Sequence, residues 1–249
     1  MSITTSSLYS DTKNFFRNEL MTILMLVLLT SLISAIIAHV LTYDTDTLYL
    51  LNQSNNENIS LFSAFKNMSS EQQRMLLYIS AVGTFIDLIS NTILIGGMLS
   101  LISLSYKDKI TNVIEVIKVS IPLLPKLSLQ LFIITFLIQL GLALLVIPGI
   151  ILMFLLSLSP VILAVEKTSI IVAIRSSIPC AWKYIKLISP AISLWMLSKI
   201  TLIFLFSSSM TNCINVLSSS IILNIFGNTV SAVLTVYLYR LYILLRQKS

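Results

Sequence analysis

The chain has 249 residues, of which 56% are hydrophobic and 10% are charged, and its formal net charge is +6. Its mean hydropathy of +0.95 exceeds what a water-soluble core requires, which excludes an ordinary soluble domain and predicts a membrane protein. The 16 Lys and Arg are spread over short segments between apolar blocks and form no dense patch, so we expect no nucleic-acid partner.

The first two apolar blocks have the length of membrane spans. A helix that crosses a hydrocarbon core of about 30 Å needs about 20 apolar residues. Residues 20–41 predict span one; this run is too long for the apolar part of a signal peptide, and no A-x-A site follows it, so we expect it to be retained. Residues 83–105 predict span two, and residues 42–82 predict a loop between the two spans, with a short interfacial helix as an option within residues 61–77.

The third block is long enough for two crossings. Residues 127–165 contain no ionisable group and, as one straight helix, would be about twice as long as the bilayer is thick. Pro148-Gly149 near the middle predicts a turn, because proline interrupts a helix and glycine allows the backbone to reverse. Spans three and four are therefore predicted at residues 127–147 and 150–165.

The last block also predicts two crossings. Lys199 is the only charged residue between 187 and 239, and a run rich in Ser and Asn at residues 207–220 predicts the turn. Span five is predicted at residues 187–206 and span six at residues 221–239.

The predicted fold class is all-α: a polytopic transmembrane helical bundle of six spans, forming one integral membrane domain over residues 1–249. Thirteen of the 16 Lys and Arg fall on the side of the two termini, and only Lys66 and Arg74 fall on the other. Because cytoplasmic loops carry the excess of basic residues, both termini are predicted to be cytoplasmic and residues 42–82 to be outside. Tyr237, Tyr239 and Tyr242 beside Arg240 predict an aromatic anchor at the inner interface.

The two predicted cytoplasmic loops resemble each other. Residues 117–122 align with residues 174–179, and each copy predicts an amphipathic helix that ends before a proline, Pro122 or Pro179. Such helices suit the headgroup layer, with cations toward anionic lipid. The basic residues predicted to face lipid are Lys118, Lys126, Arg175, Lys183 and Lys186. The alternative is that these cations only determine topology.

Chemistry-bearing motifs are absent from the sequence. It contains one His and no metal-binding, nucleophile or phosphate-binding motif, so we expect no enzyme activity, no cofactor and no metal site. Cys180 and Cys213 are predicted on opposite sides of the membrane, which excludes a disulfide between them.

Asp87 and Lys199 are the only acid and base inside the predicted spans. A charge in the hydrocarbon region is costly unless it reaches water or a partner. The two side chains lie at similar predicted depth, which predicts an intramembrane ion pair. The alternative is that Lys199 reaches the interface alone and that Asp87 is interfacial.

Several short stretches are distinctive and run along the whole chain. They are Met1-Ser2-Ile3-Thr4, Tyr9-Ser10-Asp11-Thr12, Asn14-Phe15-Phe16-Arg17-Asn18, residues 67–73, Pro125-Lys126-Leu127, Ile147-Pro148-Gly149-Ile150 and Tyr239-Arg240-Leu241-Tyr242. Together they resemble the YciC family of uncharacterised bacterial inner-membrane proteins. The resemblance implies a multi-pass protein of a Gram-negative inner membrane, and it implies no biochemical activity or functional residue.

Two functional hypotheses follow. The favoured one is a non-enzymatic membrane protein that interacts with lipids, in particular anionic lipids, or with envelope proteins through its basic amphipathic helices. The alternative is a transporter or channel for a solute or lipid, with its pathway between two parallel repeats formed by spans two and three and spans four and five. This alternative requires a polar cavity at mid-membrane. The polar residues available to line one are Asp87, Asn91, Gln130, Gln139, Lys199, Asn224 and Asn228.

Overall fold

The computed structural model describes residues 5–41, 69–105, 112–207 and 216–248, and the secondary structure within these ranges is α-helical. The helices in chain order are α1 (Thr5–Asn18), α2 (Leu20–Leu41), α3 (Ser70–Ser105), α4 (Val113–Ser120), α5 (Leu124–Leu144), α6 (Val146–Leu156), α7 (Ser159–Glu166), α8 (Ile170–Lys183), α9 (Ile185–Ser207) and α10 (Val216–Lys248).

Six segments of these helices are long and apolar enough to cross a bilayer. They are Leu20–Ala38, Gln73–Ser105, Leu124–Leu144, Val146–Glu166, Ile185–Leu205 and Ile221–Gln247. Helices α2, α3, α5, α9 and α10 each supply one segment, and α6 and α7 together supply the fourth. The all-α six-span bundle predicted from the sequence is therefore confirmed.

Two predicted loop segments are helical. Residues 70–82 begin α3, a helix of 36 residues and about 54 Å, and residues 216–220 begin α10, a helix of 33 residues and about 50 Å. Both helices are longer than the hydrocarbon core. The two helices therefore continue beyond the predicted spans, because hydropathy marks the membrane surface and a helix does not have to end there.

Helix α3 lies at the centre of the bundle, where it contacts α2, α4, α5 and α10. Of the residues in its most apolar stretch, 61% are buried, compared with 11% in α9, which packs mainly against α10. The α3 side chains Leu94, Met98, Leu101 and Ile102 are completely buried. The bundle is thus tightly packed around the second half of α3 and loosely packed at α9.

The turn between spans three and four does not use Pro148-Gly149 as predicted. The chain reverses at Leu145, which is extended with φ −156° and ψ 140°, and Pro148 lies in the first turn of α6, where a helix tolerates proline. Gly149 serves the packing of the two helices instead. A Cβ added at Gly141 would lie 2.9 Å from Gly149 Cα, so the backbones of α5 and α6 are in close contact.

Helices α4 and α8 correspond to the two aligned basic segments. Their N-cap residues, Asn112 and Ser169, occupy aligned positions, and each helix buries one face against the bundle. Helix α4 ends at Ser120, before Pro122, as predicted. Helix α8 continues through Pro179 to Lys183, so its predicted end is wrong. Proline has no N–H to bond to the carbonyl four residues earlier in the helix. Pro179 is exposed, so that carbonyl is on the outer side of α8, where other polar groups can bond to it.

The tyrosines near the end of α10 make tertiary contacts. Tyr239 and Tyr242 are only 7% and 8% exposed, and Tyr242 Oη donates a hydrogen bond to the Glu166 carboxylate at 2.5 Å. Tyr237 Oη donates to the Leu187 carbonyl at 2.8 Å. The predicted interfacial anchor is therefore wrong for Tyr239 and Tyr242, because both rings are buried against protein.

Candidate functional site

A cavity of about 370 Å³ lies between five of the six spans in the part of the chain that the structure describes. Its walls come from α3, α5, the α6–α7 pair, α9 and α10. On α3 the lining residues Thr84, Asp87, Leu88, Asn91 and Ile95 occupy positions i, i+3, i+4, i+7 and i+11, which places them on one face of the helix. The cavity therefore adjoins the central helix of the bundle.

The charged and amide side chains of the lining are at one end of the cavity, and the other end is mainly apolar. Asp87 and Gln139 are exposed and lie near the end of the bundle where α5 turns into α6. Asp87 is about 27 Å along α3 from Ser105, which is at the other end of the bundle. The opposite end is formed by Leu131, Val161 and Leu238, which are buried. The opening of the cavity is thus at its polar end.

Three of the polar residues considered from the sequence line this cavity: Asp87, Asn91 and Gln139. Two others bond across helices instead. Gln130 Nε2 donates to Ser159 Oγ between α5 and α7. Asn228 Nδ2 donates to Ser31 Oγ at 3.1 Å and to Thr30 Oγ1 at 3.3 Å, which joins α10 to α2.

Asn224 and Lys199 are outside the cavity lining. Lys199 belongs to a group on α9 and α10 that we call the α9–α10 cluster, defined by Trp195, Lys199, Gly227 and Ser231. Trp195 Nε1 donates to Ser231 Oγ at 3.1 Å, and Ser231 Oγ donates to the Gly227 carbonyl at 3.0 Å. Trp195 and Ser231 also line the cavity, so the cluster forms part of its wall.

Lys199 packs over Gly227. Its Nζ lies 5.7 Å from the centre of the Trp195 ring, and a Cβ added at Gly227 would be 2.9 Å from that Nζ. Glycine at this position therefore leaves room for the lysine. Lys199 on α9 and Asp87 on α3 carry opposite charges and are close enough to attract each other. Direct contact between the two charged groups stays a prediction.

The five basic residues predicted to face lipid are all exposed. They are Lys118, Lys126, Arg175, Lys183 and Lys186. Large apolar side chains on the same helices are exposed as well, including Ile114 on α4 and Ile171 and Trp182 on α8. Both helices thus present cations and apolar groups on their surface. Contact with lipid stays a prediction.

In the part of the chain that the structure describes, other reactive groups do not assemble into a site. Cys180 is a half-buried free thiol, and burial raises its pKa, which keeps it protonated and weakly nucleophilic at neutral pH. Cys213 lies outside the described residues. Within the described ranges, no group of three or more His, Cys, Asp or Glu side chains is arranged to hold a metal ion.

Trp195, Ser231 and Thr235 line the cavity but are not among the residues predicted from the sequence. Ser231 and Thr235 are four residues apart on α10, and this helical spacing of polar residues in an apolar span was an available signal. No comparable signal exists for Trp195. Its role depends on how α9 packs against α10.

The chain matches an uncharacterised protein family, UPF0259, over residues 1–244. A UPF0259 membrane protein of Pectobacterium carotovorum is 41% identical over 99% of this chain and 100% of its own length. Relatives from Serratia proteamaculans and Sodalis glossinidius are 40% and 39% identical with the same coverage. No solved structure matches the fold.

Proposed function

The chain belongs to the UPF0259 family of membrane proteins, which includes YciC, and we propose that it binds a lipid or another membrane amphiphile in its cavity without catalysing a reaction. The observation that carries this proposal is the division of the cavity into a polar end with Asp87 and an apolar end with Leu131 and Leu238. An amphiphile likewise has a polar head group and an apolar chain. Mostly apolar walls with a few polar groups are typical of small-molecule sites.

The polar end of the cavity must determine which amphiphile binds. Lipid tails are as apolar as the cavity wall, so moving a chain from the bilayer into the cavity gains little hydrophobic free energy. Discrimination therefore depends on Asp87, Asn91 and Gln139, which offer a charge and hydrogen bonds in a region of low dielectric constant.

The surface of α4 and α8 supports a second form of lipid contact. We propose that Lys118, Arg175 and Lys183 interact with anionic headgroups, while Ile171 and Trp182 enter the interface. Each Lys or Arg near a membrane with anionic lipid contributes about 1 kcal/mol to binding. This surface is separate from the cavity, and the two proposals do not depend on each other.

We also propose an inner-membrane location with both termini in the cytoplasm, because most Lys and Arg fall on that side. Alkaline phosphatase fused after Asn56 is expected to be active, because that enzyme folds only outside the cytoplasm. Fusions after Lys109 and at the C-terminus are expected to be inactive. An active C-terminal fusion together with an active Asn56 fusion would contradict six spans.

Retention of an amphiphile tests the proposed cavity function. Native mass spectrometry of the purified full-length protein is expected to show a bound amphiphile that survives release from the detergent micelle. Ile138→Trp places an indole in the cavity wall and is expected to reduce the bound fraction several-fold, because the larger side chain occupies ligand volume. The measurement is the ratio of bound to unbound protein in the mass spectrum.

Phe132→Trp is the matched control for Ile138→Trp. Phe132 is on the same helix but is exposed and outside the cavity lining, so its replacement is expected to leave the bound fraction unchanged. Equal retention by both variants, or no retained amphiphile in the unmodified protein, would contradict amphiphile binding in the cavity.

Transport is a second candidate function, and the position of the cavity favours it. The cavity wall includes α3 and α5 from the first predicted repeat and α6, α7 and α9 from the second, which is where a pathway between repeats would run. The two functions differ in one measurable property. A transporter moves its bound amphiphile between the leaflets of proteoliposomes, whereas a binding protein leaves it in one leaflet.

A further inference from the structure

The polar end of the cavity carries one ionisable side chain among the described residues that line it. Asp87 is this residue; the other polar groups are amides, hydroxyls and the indole of Trp195. Because Asp87 is exposed, its carboxylate is accessible from the cavity opening. The lining thus presents a negative charge and no positive charge to a ligand.

Lys199, the cation of the α9–α10 cluster, does not add a positive charge to the cavity lining. Lys199 attracts Asp87, but its ammonium group packs over Gly227 and is not part of the lining. A ligand in the cavity therefore meets the carboxylate directly.

Trp195 provides a second group suited to a cation. Its ring already lies 5.7 Å from the ammonium of Lys199, and its Nε1–H is bonded to Ser231 Oγ, which holds the orientation of the ring. Indole rings attract ammonium groups through their electron-rich faces. Trp195 also lines the cavity, so its indole is within reach of a ligand bound there.

We infer that the cavity selects an amphiphile whose head group carries an ammonium, with Asp87 as its counter-ion. The inference rests on the proposed function, that an amphiphile occupies the cavity. An anionic head group would be repelled by Asp87, and the cation nearby, Lys199, lies over the Trp195 ring and is not part of the lining. A neutral head group would gain only hydrogen bonds to side chains such as Asn91 and Gln139, which are weaker than charge-assisted ones.

The two tryptophans of the chain, Trp182 and Trp195, allow a site-specific test. Trp182→Phe leaves Trp195 as the only tryptophan in the full-length protein, purified in a non-ionic detergent. Its fluorescence is titrated with bromine-labelled single-chain amphiphiles of equal length that end in an ammonium, a hydroxyl or a carboxylate. Bromine quenches tryptophan on contact, so quenching reports entry into the cavity.

Quenching by the ammonium amphiphile is expected to saturate at a concentration about tenfold lower than quenching by the hydroxyl amphiphile, and the carboxylate amphiphile is expected to bind most weakly. Asp87→Asn in the same background is expected to abolish this preference. Glu71→Gln is the matched control, because it removes an exposed carboxylate from α3 outside the cavity lining and is expected to leave the preference intact.

Equal affinities for the three amphiphiles would overturn the ammonium selectivity but would not contradict amphiphile binding in the cavity. A preference that survives Asp87→Asn would overturn the role of Asp87. Absence of saturable quenching by all three would instead contradict the proposed function. The comparison of head groups requires no change at Asp87, so it decides the question even if the Asp87→Asn protein does not fold.

The source of the ammonium is resolved with two further probes. A bromine-labelled lysophosphatidylethanolamine carries the ammonium on a phospholipid head, whereas the simple amine carries it on the chain alone. Binding of both at similar concentrations assigns the cavity to a membrane lipid. Binding of the simple amine alone assigns it to a free amphiphilic amine, and either result supports the selection of ammonium.

Discussion

Lys199→Leu is expected to lower the yield of folded protein several-fold, and addition of Asp87→Asn is expected to restore most of that yield. Removing the lysine leaves Asp87 without the cation that attracts it, in a span where an uncompensated charge costs on the order of 2 kcal/mol. The double variant leaves neither charge. Fluorescence-detected size-exclusion chromatography of detergent extracts measures the yield of each variant.

Lys186→Leu is the control for the loss of one positive charge from α9. Lys186 is exposed near the beginning of that helix, so its replacement is expected to change the yield little. If the effects of Lys199→Leu and Asp87→Asn are simply additive, the two charges are not coupled. The predicted intramembrane ion pair would then be wrong.

Gly149→Ala is expected to destabilise the protein by about 1–3 kcal/mol, because the added methyl group overpacks the contact between α5 and α6. Its Cβ would lie 2.5 Å from Leu142 Cγ and 2.7 Å from the Leu142 backbone nitrogen. The leucine side chain can move, but the backbone nitrogen moves only if the helices separate. A lower midpoint of thermal unfolding in detergent would show this effect.

Gly83→Ala is the matched control on α3. No atom lies within 4 Å of the position that its Cβ would occupy, and alanine favours a helix over glycine by roughly 0.5–1 kcal/mol. The midpoint is therefore expected to stay the same or rise. Equal losses in Gly83→Ala and Gly149→Ala would show that close contact of α5 and α6 is not the reason for glycine at position 149.

The hairpin of α5 and α6 illustrates how far local sequence predicts this fold. The need for a turn within residues 127–165 follows from length alone, and a turn is present. The Pro148-Gly149 dipeptide does not predict that the turn is at Leu145. It also does not predict that Gly149 is used for contact between the helices. The same Pro-Gly dipeptide can form a turn, or it can supply a proline to the first turn of a helix and a glycine to a helix contact. The local sequence does not distinguish these cases.

Helix α1 shows the same limit. No element was predicted over residues 5–18 because the segment is too polar to span a membrane. In the structure it packs against α10, burying Leu8 and Phe15, and Arg240 lies 5.3 Å from the centre of the Phe15 ring. The stability of this helix depends on a contact with the other end of the chain, which hydropathy along the sequence does not report.

The number and order of the six spans were determined by the sequence itself. The thickness of the hydrocarbon layer sets a minimum length for each apolar run, and every backbone polar group in that layer must be bonded within a helix, so local hydropathy is sufficient. The tertiary structure alone decided which polar residues meet. Asp87 and Gln139 line the cavity, whereas Gln130 and Asn228 bond across helices, because the rotation of each helix depends on side-chain packing against neighbours that are distant in sequence.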